Sequence, residues 1–507
     1  MFAEGKSCVR KLGVLFAIVS ITVMAACGGS SSGGGGNTPT ITSVTASCSP
    51  STVASGLTSN CSASVMGTGN FSSTVTWTTS AGQISSAGVL TAPIVTGNST
   101  VTVTATSAQD SSKSGTAMVT VTPTQGANNV APIVVDAGPD PQNIPDANVP
   151  FVTITICVPG TNTCQTIDHV TVDTGSSGLR IVSTVLGLSL PPVTDSGGNP
   201  VDECLVFLDG YVWGPMATAD ITVAGEKAAS VPVQVMIPAT SSPPVPTSCS
   251  SQSTGQNGNE GGTVDAFGAN ALIGVGIFQQ DCGAYCTSGS PPVYYSCPGS
   301  GCSPTNMPVA QQAANPVAMF SSDNNGVLIQ LPSVPNGGSL QANGFLIFGI
   351  GTQSNNALGS ANVYTVPDSG TNAGNFTTIF NGTNYSGSFI DSGSNGLFFP
   401  NTTPTGIPVC ASPDDSWYCP TSTDNFTAVN QGSNGQSGPT THFSIENADM
   451  LFANNNGNNA AFSTLGGPNP GSFDWGLSFF YGRNVFTAIE NMSTPGGTGP
   501  YYAYNLP

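Results

Sequence analysis

The chain has 507 residues, of which 38% are hydrophobic and 7% charged, and its formal net charge is −19. This hydrophobic content can supply packed cores, whereas the scarcity of Lys, Arg and Glu disfavours long helices with solvated surfaces. The abundant Gly, Pro, Ser, Thr and Asn favour strands and turns. An acidic chain with seven cations has no basic patch, so we expect an all-β protein that does not bind nucleic acid.

The N-terminal segment has the features of an export signal. Lys6, Arg10 and Lys11 precede an uncharged apolar run, Leu12 to Ala26, which is followed by Cys27 and a Gly/Ser tract. The pattern resembles a bacterial lipoprotein signal. It implies a signal peptide over residues 1–26, a lipid on Cys27 and a flexible tether over residues 27–39. No acidic residue follows Cys27, which by resemblance implies an anchor in the outer membrane, facing the periplasm or the cell surface. The alternatives are an ordinary signal peptide and a short anchor helix.

The cysteines fit an exported protein. Besides Cys8 and Cys27, twelve of the fourteen cysteines remain, and an even number in an exported chain predicts disulfides. Cys157–Cys164 and Cys410–Cys419 close short loops and are natural pairs. Zinc is an alternative for the group Cys282, Cys286, Cys297 and Cys302, but the Gly, Ser and Pro between them favour disulfides. No metal or cofactor is predicted.

Residues 40–123 form a first predicted domain. Short runs in which Val and Thr alternate, such as 74–79 and 100–106, predict half-buried antiparallel strands. Val75–Ser80 and Gly88–Pro93 resemble segments of bacterial immunoglobulin-like domains, which implies a β-sandwich that serves as a stalk. Residues 124–148 are predicted as a linker. Within it, Ile133–Val135 forms either the first strand of the next unit or a covering segment.

One short motif occurs twice in the rest of the chain. The first copy is Val172-Asp173-Thr174-Gly175-Ser176-Ser177-Gly178-Leu179-Arg180-Ile181, and the second is Ile390-Asp391-Ser392-Gly393-Ser394-Asn395-Gly396-Leu397-Phe398-Phe399. One copy would usually be a turn, but two copies with matching flanks, a lobe's length apart, indicate an internal repeat. The repeat predicts two similar halves, residues 149–340 and 341–507, that each bring one carboxylate to a shared centre.

The motifs resemble those of pepsin-like aspartic peptidases and their retroviral relatives. The family's apolar-apolar-glycine segment is matched at Leu272-Ile273-Gly274 and, with a polar first residue, at Asp474-Trp475-Gly476. The chain also resembles an uncharacterised family of exported bacterial lipoproteins that shares these motifs. The resemblance implies a bilobal, all-β pepsin-like fold and an aspartic-type endopeptidase that acts on a peptide or protein substrate through water activated by Asp173 and Asp391.

The residue types suit this chemistry. Two carboxylates at hydrogen-bond distance cannot both ionise readily, so one keeps its proton and the other acts as a base. Gly175 and Gly393 let the backbone turn sharply and donate N–H groups to the carboxylates. The resemblance further implies that Thr174 and Ser392 brace the two loops against each other, and that Ser176 and Ser394 bind the outer carboxylate oxygens.

Other assignments are open at this stage. Tyr211 is the best candidate for the aromatic residue of a covering flap, and Trp213 is the alternative. A non-catalytic surface or binding lipoprotein that keeps the fold is the main alternative function. A Ser/His/Asp triad at Asp168 and His169 is disfavoured, because the chain's Gly-x-Ser-x-Gly match, Gly29 to Gly33, lies in the tether.

Overall fold

The computed structural model describes residues 39–54, 58–93, 99–122, 128–140, 146–207, 210–252, 262–288, 292–299, 301–401 and 406–505. These residues fall into two compact units, 39–122 and 128–505. The predicted signal peptide, Cys27 and all but the last residue of the predicted tether lie outside the described residues. Within the described ranges, no helix has the length and apolar character needed to cross a membrane.

The first unit is a two-sheet structure. Its strands are β1 (Thr40–Ser49), β2 (Thr52–Ala54), β3 (Thr58–Thr68), β4 (Val75–Thr79), β5 (Gln83–Ile84), β6 (Val89–Thr91), β7 (Ser99–Ser107) and β8 (Ser114–Thr122). They form one sheet in the order β1-β3-β6-β5 and another in the order β2-β8-β7-β4. The alternation of Val and Thr on β7 buries Val101 and Val103 in a core shared with Leu90 of the facing sheet. Burial of each such Val contributes about 1.5–3 kcal/mol. The assignment to the immunoglobulin-like class stays a prediction.

The second unit is also built from strands. They are β9 (Val130–Val135), β10 (Pro150–Cys157), β11 (Cys164–Asp173), β12 (Ser177–Val182), β13 (Val201–Val206), β14 (Tyr211–Val223), β15 (Glu226–Met236), β16 (Ala271–Val275), β17 (Tyr294–Ser296), β18 (Ser303–Pro304), β19 (Gly326–Gln330), β20 (Ala342–Phe348), β21 (Asn362–Thr365), β22 (Phe376–Phe380), β23 (Thr383–Ile390), β24 (Leu397–Phe399), β25 (Asp424–Gln431), β26 (Ser437–Ile445), β27 (Gly466–Pro468), β28 (Asp474–Trp475), β29 (Asn484–Ala488), β30 (Ser493–Thr494), β31 (Gly497–Thr498) and β32 (Tyr501–Tyr504).

Helices in this unit are short. The α-helices are α1 (Thr247–Ser250), α2 (Val264–Phe267), α3 (Ala448–Ala453) and α4 (Leu477–Phe480), and 3-10 turns lie at Gly283–Thr287, Val309–Gln311, Pro316–Met319 and Asn454–Gly457. The predicted all-β class is therefore confirmed.

The strands of the second unit form two large sheets. One follows the order β18-β17-β13-β14-β15-β12-β16-β11-β10-β9-β20-β19-β29-β32-β21, and the other β26-β25-β22-β23-β28-β24-β27. In the first sheet the run from β9 to β21 follows β10, and the second sheet is built from strands of the second half. Strand β9 falls in the predicted linker, and it pairs with both β10 and β20. Of the two alternatives for Ile133–Val135, a first strand is the one observed.

Six disulfides cross-link the described residues. They are Cys48–Cys61, Cys157–Cys164, Cys204–Cys249, Cys282–Cys286, Cys297–Cys302 and Cys410–Cys419. The two pairs predicted from short loops are confirmed. The four cysteines weighed as a zinc cluster are paired with one another, as the disulfide interpretation predicted. Disulfides of this density are typical of an oxidising compartment.

Candidate active site

Each half of the second unit delivers one aspartate at the end of a hairpin. In the first half β10 pairs with β11, which ends at Asp173, and in the second β22 pairs with β23, which ends just before Asp391. At the ends of these two strands, Val172 and Ile390 are fully buried in one hydrophobic core. Because the hydrophobic run stops where the polar loop starts, each carboxyl lies at the boundary between core and cleft.

The loop after each aspartate satisfies its carboxyl oxygens in the same way. Gly175 N–H donates to Asp173 Oδ1 at 2.7 Å, and the Ser176 hydroxyl donates to Oδ2. In the second half Gly393 N–H donates to Asp391 Oδ1 at 2.8 Å and the hydroxyl of the next serine donates to Oδ2 at 2.8 Å. Such bonds to an ionised group are stronger than neutral ones and fix the carboxyl planes.

The two loops brace each other through reciprocal hydrogen bonds. Thr174 N–H donates to Ser392 Oγ at 3.1 Å, and Ser392 N–H donates to Thr174 Oγ1 at 2.9 Å. Each hydroxyl then donates to the opposite strand, Thr174 to Ile390 O at 3.3 Å and Ser392 to Val172 O at 2.7 Å. All these groups are buried, so the brace fixes the separation of the two aspartates.

This brace predicts a stability loss when one hydroxyl is removed. Ser392→Ala leaves the buried Thr174 N–H without its partner and removes the hydrogen bond to Val172 O, so the free energy of unfolding should fall by about 1–3 kcal/mol. Ser392→Thr keeps the hydroxyl that the other half uses at this position and should restore most of the loss. Urea denaturation measures both. The exposed Ser433→Ala is the control, and an equal effect of Ser392→Ala and Ser433→Ala would contradict the brace.

The two aspartates are in direct contact. A β-carbon added to Gly175 would lie 2.6 Å from Asp391 Cγ, and one added to Gly393 would lie 2.7 Å from Asp173 Oδ1. Burial raises the pKa of Asp391 well above its ordinary value, and the charge of Asp173, the charge of Asp474 and a hydrogen bond with Asp173 raise it further. The Ser394 hydrogen bond opposes this rise in pKa. The dyad therefore keeps a proton on Asp391 to higher pH than an isolated aspartate would.

A short strand supports each loop from behind, in matching register. In the first half β16 runs parallel to β11, with Val172 opposite Ile273 and Asp173 opposite Gly274. In the second, β28 runs parallel to β23 with Ile390 opposite Trp475. The two apolar-apolar-glycine segments predicted from the sequence thus occupy equivalent positions.

The second apolar-apolar-glycine segment begins with a polar residue, Asp474, and this acid is fully buried. Asp474 is 0% exposed, and neither of its carboxyl oxygens has a hydrogen-bond partner among the described residues. Burial raises the pKa of Asp474 to about 8, and the charge of Asp173 adds to the rise, whereas the nearby Ser394 hydroxyl lowers it. The sequence showed a polar residue at a position that is usually apolar, but it did not indicate that this residue is buried without a hydrogen-bond partner.

The dyad lies in a cleft between the two halves. The cleft has a volume of about 910 Å³. Its walls come from the first half, at Asp173–Ser177, Leu205–Phe207, Phe267, Leu272 and Gly276–Phe278, and from the second, at Ala373–Asn375, Phe389, Gly393–Asn395, Phe398 and Tyr502. Asp146 also lines it, and burial, with the charge of Asp136, raises the pKa of Asp146 to about 7. None of the described lining residues is a Lys, Arg or His.

The proposed flap residues lie on a hairpin next to the cleft, but both are buried. Strands β13 and β14 form this hairpin, and Phe207 N–H donates to Gly210 O at 2.9 Å near its end. Tyr211 is 7% exposed and Trp213 is 0% exposed, with the Trp213 ring packed edge-on against Tyr295. Phe207 lines the cleft, whereas neither Tyr211 nor Trp213 does. Phe207 is not among the residues predicted from the sequence, although its place directly after the end of β13 was a usable signal.

A buried cluster of charged side chains includes the cleft residue Asp281. The Arg180 side chain is fully buried and binds Glu203 at 2.8 Å and Asp281 at 3.4 Å. Tyr294 donates to Asp281 at 2.8 Å. Burial raises the pKa of Asp281 well above its ordinary value, and Glu203 adds to the rise. The motif residue Arg180 thus helps to position the cleft residue Asp281, a link that the sequence did not indicate.

The alternative chemical sites are not assembled in the described part of the chain. His169 lies near Asp168 and Asp136, at 3.2 and 3.6 Å, and Gly29 to Gly33 lies outside the described residues. The group of possible metal ligands found there, Cys410, Cys419 and Asp449, contains two cysteines that are bonded to each other.

Two equivalent all-β halves that bring Asp-x-Gly-Ser loops into one cleft constitute a pepsin-like fold, and this chain has that fold. The family model described as "Protein of unknown function (DUF3443)" matches residues 125–504, and the chain belongs to this family. No curated protein matches the chain. Among solved structures, the aspartic proteinase from Irpex lacteus is similar, with a TM-score of 0.44 and 12% identity over 74% of this chain and 96% of that one.

Proposed function

We propose that the protein is an aspartic-type endopeptidase whose catalytic residues are Asp173 and Asp391. The observation that carries the proposal is the contact of two carboxyls from equivalent loops at the floor of an open cleft. Structural ion pairs also perturb pKa values, but no Lys, Arg or His lies among the described residues that line this cleft. Two acids that share a proton are costly to keep, and a reaction that needs both an acid and a base explains their retention.

The geometry supports a general acid–base mechanism. Asp391, whose pKa is raised, holds the shared proton and donates it to the carbonyl oxygen of the scissile peptide. Asp173 takes a proton from the bound water, whose oxygen attacks the carbonyl carbon. The resulting diol collapses when Asp173 gives this proton to the amide nitrogen, Asp391 takes a proton back from a diol hydroxyl and the C–N bond breaks, which releases an acid and an amine and restores the dyad. Gly175 and Gly393 N–H groups hold the two inner carboxyl oxygens in place throughout.

The experiment is hydrolysis of denatured casein and of a peptide library by the full chain, from acidic to mildly alkaline pH. Hydrolysis that a statine-type inhibitor blocks, and that Asp173→Asn and Asp391→Asn both lose, supports the proposal. Peptide binding without hydrolysis in the wild type would instead favour the non-catalytic surface or binding lipoprotein. Hydrolysis that survives both substitutions would refute the assignment of the dyad.

Phe207 is the residue we propose as the cleft-facing aromatic of the covering hairpin, in place of Tyr211 or Trp213. It is half-buried and, like Phe267, packs against the core cluster that contains Val212. Phe207→Ala should raise KM and lower kcat/KM about tenfold, because one apolar substrate contact of about 1–2 kcal/mol is lost. Steady-state kinetics with a peptide checks this, with the exposed Tyr285→Ala as the control. Unchanged kinetics of Phe207→Ala would contradict the role.

The proposed setting is outside the cytoplasm, with a lipid on Cys27 that holds the protein in the outer membrane. The six disulfides support export. Mass spectrometry of the N-terminal fragment of the mature protein tests the anchor, since a diacylglyceryl group on Cys27 is the expected modification.

A further inference from the structure

Asp474 occupies the position that an apolar residue holds in the other half. Asp474 pairs with Phe389 of β23 and with Phe398 of β24. In the first half, Leu272 makes the equivalent pairs with Thr171 of β11 and Arg180 of β12. Leu272 lines the cleft, as do Phe389 and Phe398. A carboxyl has therefore been placed in the support strand directly behind the Asp391 loop.

Among the described residues, the charged groups that act on Asp474 are acids, with no Lys, Arg or His. Its side chain is fully buried, and in the described part of the chain its two oxygens accept and donate no hydrogen bond. The titratable groups that face it are Asp173, Asp391 and Tyr502. A buried carboxyl without a hydrogen-bond partner is unfavourable, and its charged form is more so, so a leucine, as in the first half, would stabilise this position more simply.

Ser394 links Asp474 to the dyad. Its hydroxyl donates to Asp391 Oδ2 at 2.8 Å, and it also lies near enough to Asp474 to lower the pKa of that carboxyl. A hydroxyl has one proton to donate, so Asp391 and Asp474 compete for it. The charge of Asp474 also acts on Asp391 directly and raises its pKa.

We propose that Asp474 is a third carboxyl of the active site, a positioning residue whose negative charge keeps the shared proton on the dyad to higher pH than Asp173 and Asp391 would by themselves. The proposal rests on the proposed peptidase function. Three carboxyls that interact this closely titrate as a unit. Asp474 touches neither water nor substrate in this scheme.

The sign of the effect follows from the order in which protons are lost. The pKa of Asp474 is about 8, so below that pH its side chain is neutral and does not change the charge of the dyad. Above that pH its charge disfavours a second charge on Asp391. Without Asp474 the dyad therefore loses its last proton at lower pH, while its uptake of a second proton in acid is unchanged.

The test compares kcat/KM against pH for the wild type, Asp474→Asn and Asp474→Leu. Asn keeps the shape without the charge, and Leu is the residue of the other half. Both variants should move the alkaline limb of the profile to lower pH and leave the acid limb in place. Asp202→Asn is the matched control, because Asp202 is 2% exposed, has an unpaired oxygen and a pKa raised by burial to about 6, and does not line the cleft.

A second measurement does not need activity. NMR titration of the carboxyl carbon of Asp391 in the ¹³C-aspartate-labelled full chain, assigned with Asp391→Asn, should show proton loss at lower pH in Asp474→Asn than in the wild type. The proposal would be overturned if Asp474→Asn left the alkaline limb of the kcat/KM profile, or the titration of Asp391, unchanged. It would also be overturned if Asp202→Asn shifted the alkaline limb or the Asp391 titration as far as Asp474→Asn does. A wild type without hydrolysis would defeat the proposed function, and the NMR titration would still decide the role of Asp474.

Discussion

Replacing either Asp173 or Asp391 with asparagine should lower kcat/KM for a peptide substrate by about 10²–10⁴-fold, the usual contribution of one acid–base group. Asparagine keeps the shape of the side chain but can neither take a proton from water nor hold the shared one. Because the two carboxyls act as a unit, the double variant should be little worse than either single one. The exposed Asp265→Asn, near the cleft residue Phe267, controls for the loss of one negative charge.

The pH dependence of the wild type should follow from the same pair. The active form has one proton on the dyad, so activity falls in acid as the second carboxyl is protonated. It also falls as the pH rises through the raised pKa of Asp391 and the last proton is lost. A kcat/KM profile measured with an uncharged substrate shows both limbs. A profile without an alkaline limb, or single variants with wild-type rates, would refute the mechanism.

Gly175→Ala should disable the site without touching either acid. The added methyl group would lie 2.6 Å from Asp391 Cγ and 2.7 Å and 2.8 Å from its two oxygens. Real β-carbons do not approach other atoms so closely, so one loop must move and the contact between the carboxyls is lost. We expect a fall in kcat/KM as large as that of Asp391→Asn, with a loss of about 1–3 kcal/mol in the free energy of unfolding from overpacking.

Kinetics and urea denaturation of Gly175→Ala check this prediction together. Gly471→Ala is the matched control, because Gly471 is exposed and a β-carbon there would meet no atom within 4 Å. A Gly175→Ala variant that keeps activity within a fewfold of the wild type would contradict the close approach of Gly175 to the Asp391 carboxyl. Gly393→Ala tests the other side, since its β-carbon would meet Asp173 Oδ1 at 2.7 Å.

The parts of the site that the sequence predicted are those encoded within a few consecutive residues. In Asp173-Thr174-Gly175-Ser176 and its second copy, each glycine N–H and serine hydroxyl serves the aspartate two or three positions before it. Such contacts depend on local backbone geometry, so a motif is enough to predict them. The short disulfide Cys157–Cys164 was predictable for the same reason, since its cysteines are seven positions apart in the chain.

The cleft-facing position of Phe207 and the burial of Asp474 were not predictable from a local motif. Whether Phe207 or Tyr211 faces the cleft depends on how β13 and β14 are oriented over it, and alternate residues of a strand face opposite sides. In the sequence, Asp474 was recognisable as a polar residue at a position where the first half has an apolar one, Leu272. Its effect on Asp391 depends on burial by residues far away in the chain, and a sequence pattern carries no measure of solvent exclusion.

By itself, the sequence determined the all-β class, the repeat of two Asp-x-Gly-Ser loops and the scarcity of basic residues, because these follow from composition and local order. Only the tertiary structure decided that the two loops meet through the Thr174–Ser392 brace, that Phe207 lines the cleft and that Asp474 lies without a partner behind the dyad. The physical reason is that pKa values and carboxyl contacts depend on desolvation and distance, and both are produced by packing between strands about 200 residues apart.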